Sequence, residues 1–259
     1  MKFFDLHSDF PLALDNFSSA NFLGATVTGA VYSGDLTFDR AIDIAKKVKK
    51  LDDKNVKLAF ENIGYKHLDI DKIIELKPIY ASLTYNEEND FGYGCNFNLP
   101  LKTLGKSLVK QLSNQGIVID VSHLSEKGAY SVLDITDRVI CSHTALKSLF
   151  NHKRNLSDGL IKEIISSGGI IGLTPVGYFL KEKGASLFDF FRHIDAFIEK
   201  FNINSLAIGT DFFGTDFIVG GIKDYLGFTK LKNIMYEKGY LSAEVDKVFY
   251  QNAYDYFNR

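Results

Sequence analysis

Residues 3–9 read Phe-Phe-Asp5-Leu-His7-Ser-Asp9, an apolar run that ends in alternating polar side chains. In an extended strand, side chains at positions i and i+2 lie on the same face. We therefore expect His7 and Asp9 to project together, and an imidazole paired with a carboxylate suits zinc or a similar divalent ion. One such pair is common by chance. Its weight comes from four later segments that also end a strand-like apolar run in a metal-binding residue.

Apolar runs of strand length alternate with amphipathic stretches along the whole chain. We predict strands over residues 3–7, 24–32, 56–60, 79–83, 117–121, 138–141, 170–174 and 206–209. We predict helices over residues 38–51, 101–115, 126–133, 156–167, 187–201 and 242–257, where apolar residues recur at three- and four-residue spacing. Ser125 and Ser157 are placed to cap helices, and Gly116 and Gly168 stand where helices should stop. Eight strands alternating with helices favour an α/β fold, a (β/α)8 TIM barrel.

Composition sets limits on the class of protein. With 259 residues, 46% of them hydrophobic, the chain can bury a large core, and we expect a single domain over residues 1–259. A net charge of −2 with interspersed acids and bases gives no indication of a nucleic-acid or anionic-membrane partner. Because no apolar stretch is long enough for a signal peptide or a membrane span, we expect a cytoplasmic protein with reduced Cys95 and Cys141.

Polar residues collect where the predicted strands end. They are Asp5, His7, Asp9, Glu61, His123, His143 and Asp211. In a barrel the carboxyl ends of the strands form one rim, at which catalytic groups lie. Histidines and carboxylates on one rim suit a site for two metal ions. In such a site a carboxylate bridges the two ions, roughly 3.5–4 Å apart, and a bound water becomes the nucleophile. We expect a proton-transfer role for Asp211, whereas His67 and His193 are interpreted as structural.

Two further segments flank the predicted rim. The polar stretch over residues 85–98 follows a predicted strand and is interpreted as a loop over the active face. Beyond His143 comes Asn151-His-Lys-Arg154-Asn. An arginine there can form a bidentate pair with a substrate carboxylate, although an isolated arginine is more often a solvated surface charge.

Motifs from residue 5 to about residue 253 resemble, in the same order, those of the membrane (renal) dipeptidase family, metal-dependent dipeptidases with an amidohydrolase-like (β/α)8 barrel. The resemblance is carried by Asp5-Leu-His-Ser-Asp9, by residues 101–123 with their Asp-Val-Ser-His123 ending, by Cys141-Ser-His143-Thr, by His152-Lys-Arg154-Asn155, by Gly209-Thr-Asp211-Phe-Phe-Gly214 and by Gln251-Asn-Ala. The match extends over nearly the whole chain.

This resemblance implies a two-zinc site and a role for each residue of the rim. One ion would be bound by His7 and Asp9, the other by His123 and His143, and Glu61 would bridge them. Asp211 would manage protons on the bridging water and the leaving amine, and Arg154 would hold the free carboxylate of a dipeptide. Manganese or iron can occupy the same ligands. The family also suggests a homodimer.

Tyr85 departs from the family pattern. It follows Leu83-Thr84, where the family has a histidine that polarises the scissile carbonyl. A phenol can donate one hydrogen bond to a developing oxyanion, so we assign Tyr85 a catalytic and substrate-binding role. The first hypothesis is a zinc dipeptidase that uses a metal-bridging hydroxide. Two alternatives stay open: a metal-dependent hydrolase of another small amide, lactam or ester, and a non-catalytic metal-binding relative.

Overall fold

A computed structural model describes residues 2–16, 22–32, 36–51, 54–65 and 67–259, with a closed barrel of eight parallel strands at its centre. The strands follow one another around the barrel in chain order, and the pairing of Asp5 with Ile208 closes it. They are β1 (Phe4–Ser8), β2 (Thr26–Tyr32), β3 (Val56–Glu61), β4 (Tyr80–Ala81), β5 (Val118–Asp120), β6 (Val139–Thr144), β7 (Ile171–Leu173) and β8 (Leu206–Ile208). The predicted (β/α)8 barrel is confirmed.

Helices occupy most of the connections between strands. Those of the described residues are α1 (Phe38–Lys50), α2 (Ile70–Leu76), α3 (Thr103–Asn114), α4 (Glu126–Leu133), α5 (Asp158–Ser166), α6 (Gly177–Leu180), α7 (Leu187–Lys200), α8 (Phe228–Glu237), α9 (Ser242–Asp246) and α10 (Asn252–Asn258). A π-helical turn over Lys247–Gln251 joins α9 to α10, and 3-10 turns cover Phe10–Asn16, Ile203–Ser205 and Tyr225–Gly227. In the described ranges, no helix combines the length and apolar character needed to cross a membrane.

Local chemistry sets the helix boundaries at the residues that the sequence indicates. The side chain of Ser125 accepts a hydrogen bond from the Gly128 amide, and that of Ser157 accepts one from the Leu160 amide. These bonds satisfy amide groups that a helix start leaves free. Gly116 and Gly168 follow α3 and α5 with φ angles of 78° and 83°. Glycine takes this left-handed conformation at low cost, so both helices end there.

Three helices of the described chain, α2, α6 and α8, were not predicted. Helix α6 has only four residues, so it carries no periodic signal. Helix α2 has seven residues and buries only Ile73, so its apolar periodicity is too short to recognise. Helix α8 buries Phe228, Leu231 and Met235, whose spacing of three and four residues is a helical signal that the sequence does carry.

The barrel interior is filled from several strands and closed by the last helix. Side chains from five strands share one buried cluster: Phe4, Tyr80, Val118, Ile140 and Ala207. Tyr256 of α10 joins this cluster, and its hydroxyl donates a 3.4 Å hydrogen bond to the carbonyl of Val139, the first residue of β6. Helix α10 therefore covers the amino-terminal end of the barrel. The carboxyl-terminal end is left for the loops that build a pocket.

Two strands carry a bulge at a position where the sequence predicts a metal ligand. From Asp5 to Ser8, β1 advances three residues while β2 advances two, and β6 does the same against β7 between Cys141 and Thr144. A bulge changes the direction of the side chains within it. The two bulges contain His7 and His143, so both imidazoles leave the simple alternation of a strand.

The bulge in β6 fits against glycines of the next two strand segments. A Cβ atom at Gly172 in β7, or at Gly209 after β8, would overlap the carbonyl oxygen of Ser142. Side chains are absent at these two positions because the bulged backbone occupies the space.

We expect Gly172→Ala to destabilise the fold by about 1–3 kcal/mol, the usual cost of overpacking a filled interior. The free energy of unfolding, measured with denaturant, checks this. Gly220→Ala is the matched control, since no heavy atom lies within 4 Å of a Cβ there. Equal stability of the two variants would show that Ser142 and its bulge move without cost.

Candidate metal centre

The five predicted metal ligands converge at the carboxyl-terminal rim of the barrel. His7 is the penultimate residue of β1, and Asp9 directly follows that strand. Glu61 ends β3, His123 follows β5, and His143 lies in β6. All five side chains are buried. Five polar side chains from the ends of four strands are thus buried at one site.

Glu61 is the central carboxylate of this group. Its Oε1 atom lies 2.8 Å from Nε2 of His123 and 3.7 Å from the Nε2 atoms of both His7 and His143. The Nε2 atoms of His123 and His143 are 3.0 Å apart. Asp9 approaches from the other side, with its Oδ2 atom 3.7 Å from Nε2 of His7. Oε1 of Glu61 therefore faces the three imidazoles, and Nε2 of His7 lies between the carboxylates of Glu61 and Asp9.

Asp211 lies beside these predicted ligands. Within the described residues, the ligand atoms of His7, Glu61 and His143 all lie within 4.8 Å of one another, and those of His7, Asp9 and Asp211 do the same. Two overlapping groups share His7. Each has the composition of a divalent-metal site.

Asp5 is not part of the cluster, although it lies two residues before His7. Its carboxylate accepts hydrogen bonds from the amide and hydroxyl of Thr210 and from the hydroxyl of Tyr225. The bulge between Asp5 and Ser8 separates its direction from that of His7. Asp5 instead ties β1 to the segment that carries Asp211.

The chemistry of the cluster fits bound cations. Nε2 of His7, Oδ1 of Asp9 and Oε1 of Glu61 are buried, and none has a hydrogen-bond partner among the described residues. Buried acceptors without partners are costly, and a divalent ion satisfies several at once. The backbone of Gly214 lies against the carboxylates of Asp9 and Asp211, where a Cβ atom would overlap both. The residues present therefore fit a metal centre.

Charge within the cluster shifts the protonation of its members. Burial works against the charged form of His7, but the negative charges of Glu61 and Asp9 outweigh burial and raise its pKa to about 10. Burial, followed by the nearby charges of His7 and Arg154, holds the pKa of His143 well below its usual range. Burial raises the pKa of Glu61 and also, together with the charge of Asp9, that of Asp211. Positive charge is favoured at the position of Nε2 of His7.

Arg154 lies against the cluster and not at the surface, since only 4% of it is exposed. Its Nη2 group lies 2.9 Å from Nε2 of His123 and 2.7 Å from Nε2 of His143. A guanidinium can only donate, so both nitrogens accept. Its Nη1 group is buried and has no hydrogen-bond partner in the described part of the chain. A solvated surface charge is therefore excluded for Arg154.

A pocket opens from the cluster to the surface. Its lining includes Asp9, Glu61, His123, Arg154 and Asp211, together with Tyr32, Tyr85, Asn86, Lys153 and Tyr178. Tyr85 and Asn86 belong to the loop over residues 85–98 that the sequence places over this face. The ring of Tyr85 stacks on His123 at a centroid distance of 4.4 Å and also contacts Tyr32.

His67 and His193 lie outside the cluster. The ring of His193 is buried, and its Nδ1 accepts a hydrogen bond from the Leu146 amide. Burial lowers the pKa of His193 to about 4, so this side chain is neutral. His67 is exposed. Both agree with the structural interpretation.

Comparison with known proteins identifies the family. The sequence profile of the membrane dipeptidases, peptidase family M19, matches residues 59–256. The chain belongs to this family. Glu61, His123, His143, Arg154 and Asp211 lie within the match, whereas His7 and Asp9 precede it. Membership classes the chain with the metallo-dipeptidases, which are hydrolases, and the buried histidine and carboxylate cluster is in keeping with a metal-dependent family.

Two curated relatives match about two thirds of this chain. A protein of Klebsiella pneumoniae described as an uncharacterized protein in the pqqA 5′ region is 30% identical over 182 residues, which cover 65% of this chain and 67% of that protein. Dipeptidase tcpJ of Claviceps purpurea is 24% identical over 181 residues, which cover 67% of this chain and 43% of that protein. The matched part thus spans less than half of the named dipeptidase.

A solved structure shares the fold over its whole length. It is the metallopeptidase of Rhodobacter sphaeroides liganded with a phosphinate mimic of the dipeptide L-Ala-D-Ala. The TM-score is 0.84 at 20% identity, with 100% of this chain and 99% of the other covered. At this identity the likeness establishes the barrel and not the substrate.

Proposed function

We propose that this member of the membrane dipeptidase family is a binuclear zinc dipeptidase that hydrolyses small dipeptides with a free carboxylate. The observation that carries the proposal is the convergence of three imidazoles and two carboxylates at one rim, where Nε2 of His7, Oδ1 of Asp9 and Oε1 of Glu61 are buried without a partner in the described chain. The named dipeptidase relative, and the dipeptide mimic bound by the Rhodobacter sphaeroides protein of the same fold, support the substrate class.

The ligand assignment is the one that the family resemblance implies, and the distances between ligand atoms support it. His7 and Asp9 would hold one zinc ion, His123 and His143 would hold the other, and Glu61 would stand between them, because Oε1 faces all three imidazoles. When bound, two zinc ions supply a water acidified to a nucleophile and Lewis acidity for the peptide carbonyl. Manganese suits the same ligands.

Asp211 is proposed to hold and move the proton. Its carboxyl group lies beside Asp9 and His7, and burial among negative charges raises its pKa. A carboxyl group whose pKa is raised holds its proton more tightly, and it can pass that proton to the leaving nitrogen. The left-handed backbone of Asp211, with φ of 60°, directs this side chain between Asp9 and the pocket wall at Gly214.

Tyr85 and Arg154 are proposed to bind the substrate. Burial raises the pKa of Tyr85, so its phenol keeps the proton that it can donate to a developing oxyanion. The buried Nη1 group of Arg154 is a donor without a described partner, and a dipeptide carboxylate can accept from it. These two side chains face the pocket from different loops.

A panel of dipeptides with L- and D-residues, each also made as its carboxyl-terminal amide, tests the proposal. We expect zinc-dependent cleavage of free dipeptides, loss of cleavage with a chelator, and little cleavage of the amides. Hydrolysis of lactams or esters with no cleavage of any dipeptide would contradict the substrate class. If the protein binds zinc but cleaves none of these compounds, the proposed hydrolytic activity would be contradicted.

Arg154→Ala is expected to raise KM for a free dipeptide and to spare zinc content. Losing a buried charged partner costs about 2–5 kcal/mol of binding, which is roughly a 30-fold or larger increase in KM. Steady-state kinetics with elemental analysis measures both quantities. Arg192→Ala is the control, since Arg192 is an exposed arginine of α7 outside the pocket. A normal KM in Arg154→Ala would remove Arg154 from the carboxylate site.

A further inference from the structure

Each candidate ligand histidine has its second ring nitrogen held by an oxygen atom. Nδ1 of His7 lies 2.8 Å from the hydroxyl of Tyr80, Nδ1 of His143 lies 2.9 Å from the hydroxyl of Ser142, and Nδ1 of His123 lies 3.0 Å from Oδ1 of Asn86. A neutral imidazole has one donor and one acceptor nitrogen, so these contacts decide which nitrogen can bind a metal.

Tyr80 can only accept from His7. Its hydroxyl donates its single proton to the carbonyl of Leu6, at 2.9 Å. If that proton pointed to His7 instead, two acceptor oxygens would face each other at this distance. Nδ1 of His7 must therefore carry a proton, and Nε2 is the atom that faces Asp9 and Glu61. Both Tyr80 and His7 are fully buried.

Ser142 is oriented in the same sense by Asp120. The Ser142 hydroxyl lies 2.6 Å from Oδ2 of Asp120, a carboxylate that also accepts from the amides of Ser122 and Ser142. The serine proton goes to the carboxylate, so the hydroxyl oxygen accepts from Nδ1 of His143. Asp120 contacts no candidate ligand directly and acts through Ser142.

Asn86 completes the set from the loop over the pocket. Its Oδ1 atom faces Nδ1 of His123 and also the thiol of Cys95, at 3.1 Å. Burial raises the pKa of Cys95, so the thiol stays protonated and donates. Two donors thus meet one carbonyl oxygen, which fixes the amide orientation.

The opposite ring nitrogens give an independent check. Nη2 of Arg154 donates to Nε2 of both His123 and His143, so these atoms carry no proton. For His123 and His143, the contacts with Arg154 therefore agree with a proton on Nδ1.

We propose that Tyr80, Ser142 and Asn86 are positioning residues that hold the three histidines in the Nδ1–H form, so that all three Nε2 lone pairs face the metal centre. This inference rests on the proposed metal function. Asp120 supports it by orienting Ser142. Partners of this kind fix ring orientation and raise ligand basicity.

Zinc affinity, measured by competition with a chelating dye in the absence of substrate, tests the proposal. We expect Tyr80→Phe and Asn86→Leu to bind zinc about 10–100-fold more weakly than the wild type. Asn86→Asp keeps an acceptor oxygen and should restore most of the affinity lost in Asn86→Leu. Tyr256→Phe is the matched control, because Tyr256 shares the buried cluster of Tyr80 but its hydroxyl bonds the Val139 carbonyl at the other end of the barrel.

Imidazole nitrogen NMR gives a second readout that a change in stability would not reproduce. In the wild type we expect His123 to show a protonated Nδ1 and a free Nε2, and in Asn86→Leu we expect the two forms to mix. Wild-type zinc affinity in Tyr80→Phe and Asn86→Leu, with unchanged histidine spectra, would overturn the positioning role. Failure of the wild type itself to bind zinc would overturn the proposed function instead.

Discussion

Glu61→Gln should lose most of its bound zinc and nearly all of its dipeptide hydrolysis. Glu61 is the carboxylate that faces all three candidate ligand imidazoles, and the change removes a negative charge and replaces one oxygen by a donor nitrogen. Loss of a supporting partner already costs about 10–100-fold in metal affinity, so a direct ligand should cost more than about 100-fold. Elemental analysis and a chelator-competition titration measure the effect.

The control for Glu61→Gln is Glu75→Gln, which makes the same change at an exposed residue of α2. Zinc content and turnover should be normal there. Two retained zinc ions and a normal rate in Glu61→Gln would refute the bridge and the ligand assignment built on it.

Asp211→Asn should lower kcat by about 10²–10⁴-fold, the usual contribution of a general acid or base, while zinc content stays at the wild-type value. The reason is that Asp211 is proposed to carry a proton, whereas its neighbours His7 and Asp9 are the proposed metal ligands. An amide cannot release that proton. Rapid-quench or steady-state kinetics on a dipeptide, with elemental analysis of the same sample, separates the two effects.

Asp216→Asn is the comparison variant for Asp211, since Asp216 is an exposed residue of the same loop. Loss of zinc in Asp211→Asn would show that Asp211 is a ligand, as its place beside His7 and Asp9 allows. That result would contradict the proton-transfer role.

The barrel could be predicted because each level of the sequence indicates the same structure. Apolar runs of strand length alternate with helical periodicity, and Gly116 and Gly168 end helices where the periodicity ends. The predicted strands overlap all eight strands of the barrel. Helix α2 was missed because a seven-residue helix with one buried side chain has almost no periodic signal.

The candidate ligands could be named from sequence because strand ends in a barrel meet at one rim. Their directions could not. The bulges at His7 and His143 depend on how neighbouring strands pair, and on the space left by Gly172 and Gly209, which no local pattern reveals. The bulge in β1 also explains why Asp5, two residues before His7, does not join the cluster and instead accepts hydrogen bonds from Thr210 and Tyr225.

The positioning residues were missed for a related reason. Tyr80 lies 73 residues from His7 in sequence, and Asn86 lies 37 residues from His123, so neither contact has a local signature. Ser142 is adjacent to His143, but its role depends on Asp120 in the neighbouring strand. The buried position of Arg154 against the imidazoles was likewise not foreseen. Sequence supplies the residue types, and the closed barrel supplies their partners.

The number of zinc ions bound per chain tests the central claim most directly. The protein is stripped of metal, reconstituted with zinc, desalted and subjected to elemental analysis. The account predicts two zinc ions per chain, because the side chains of the five candidate ligands are buried together at one rim. Three of their polar atoms have no hydrogen-bond partner in the described chain. A chain that keeps its fold and retains no zinc would contradict it.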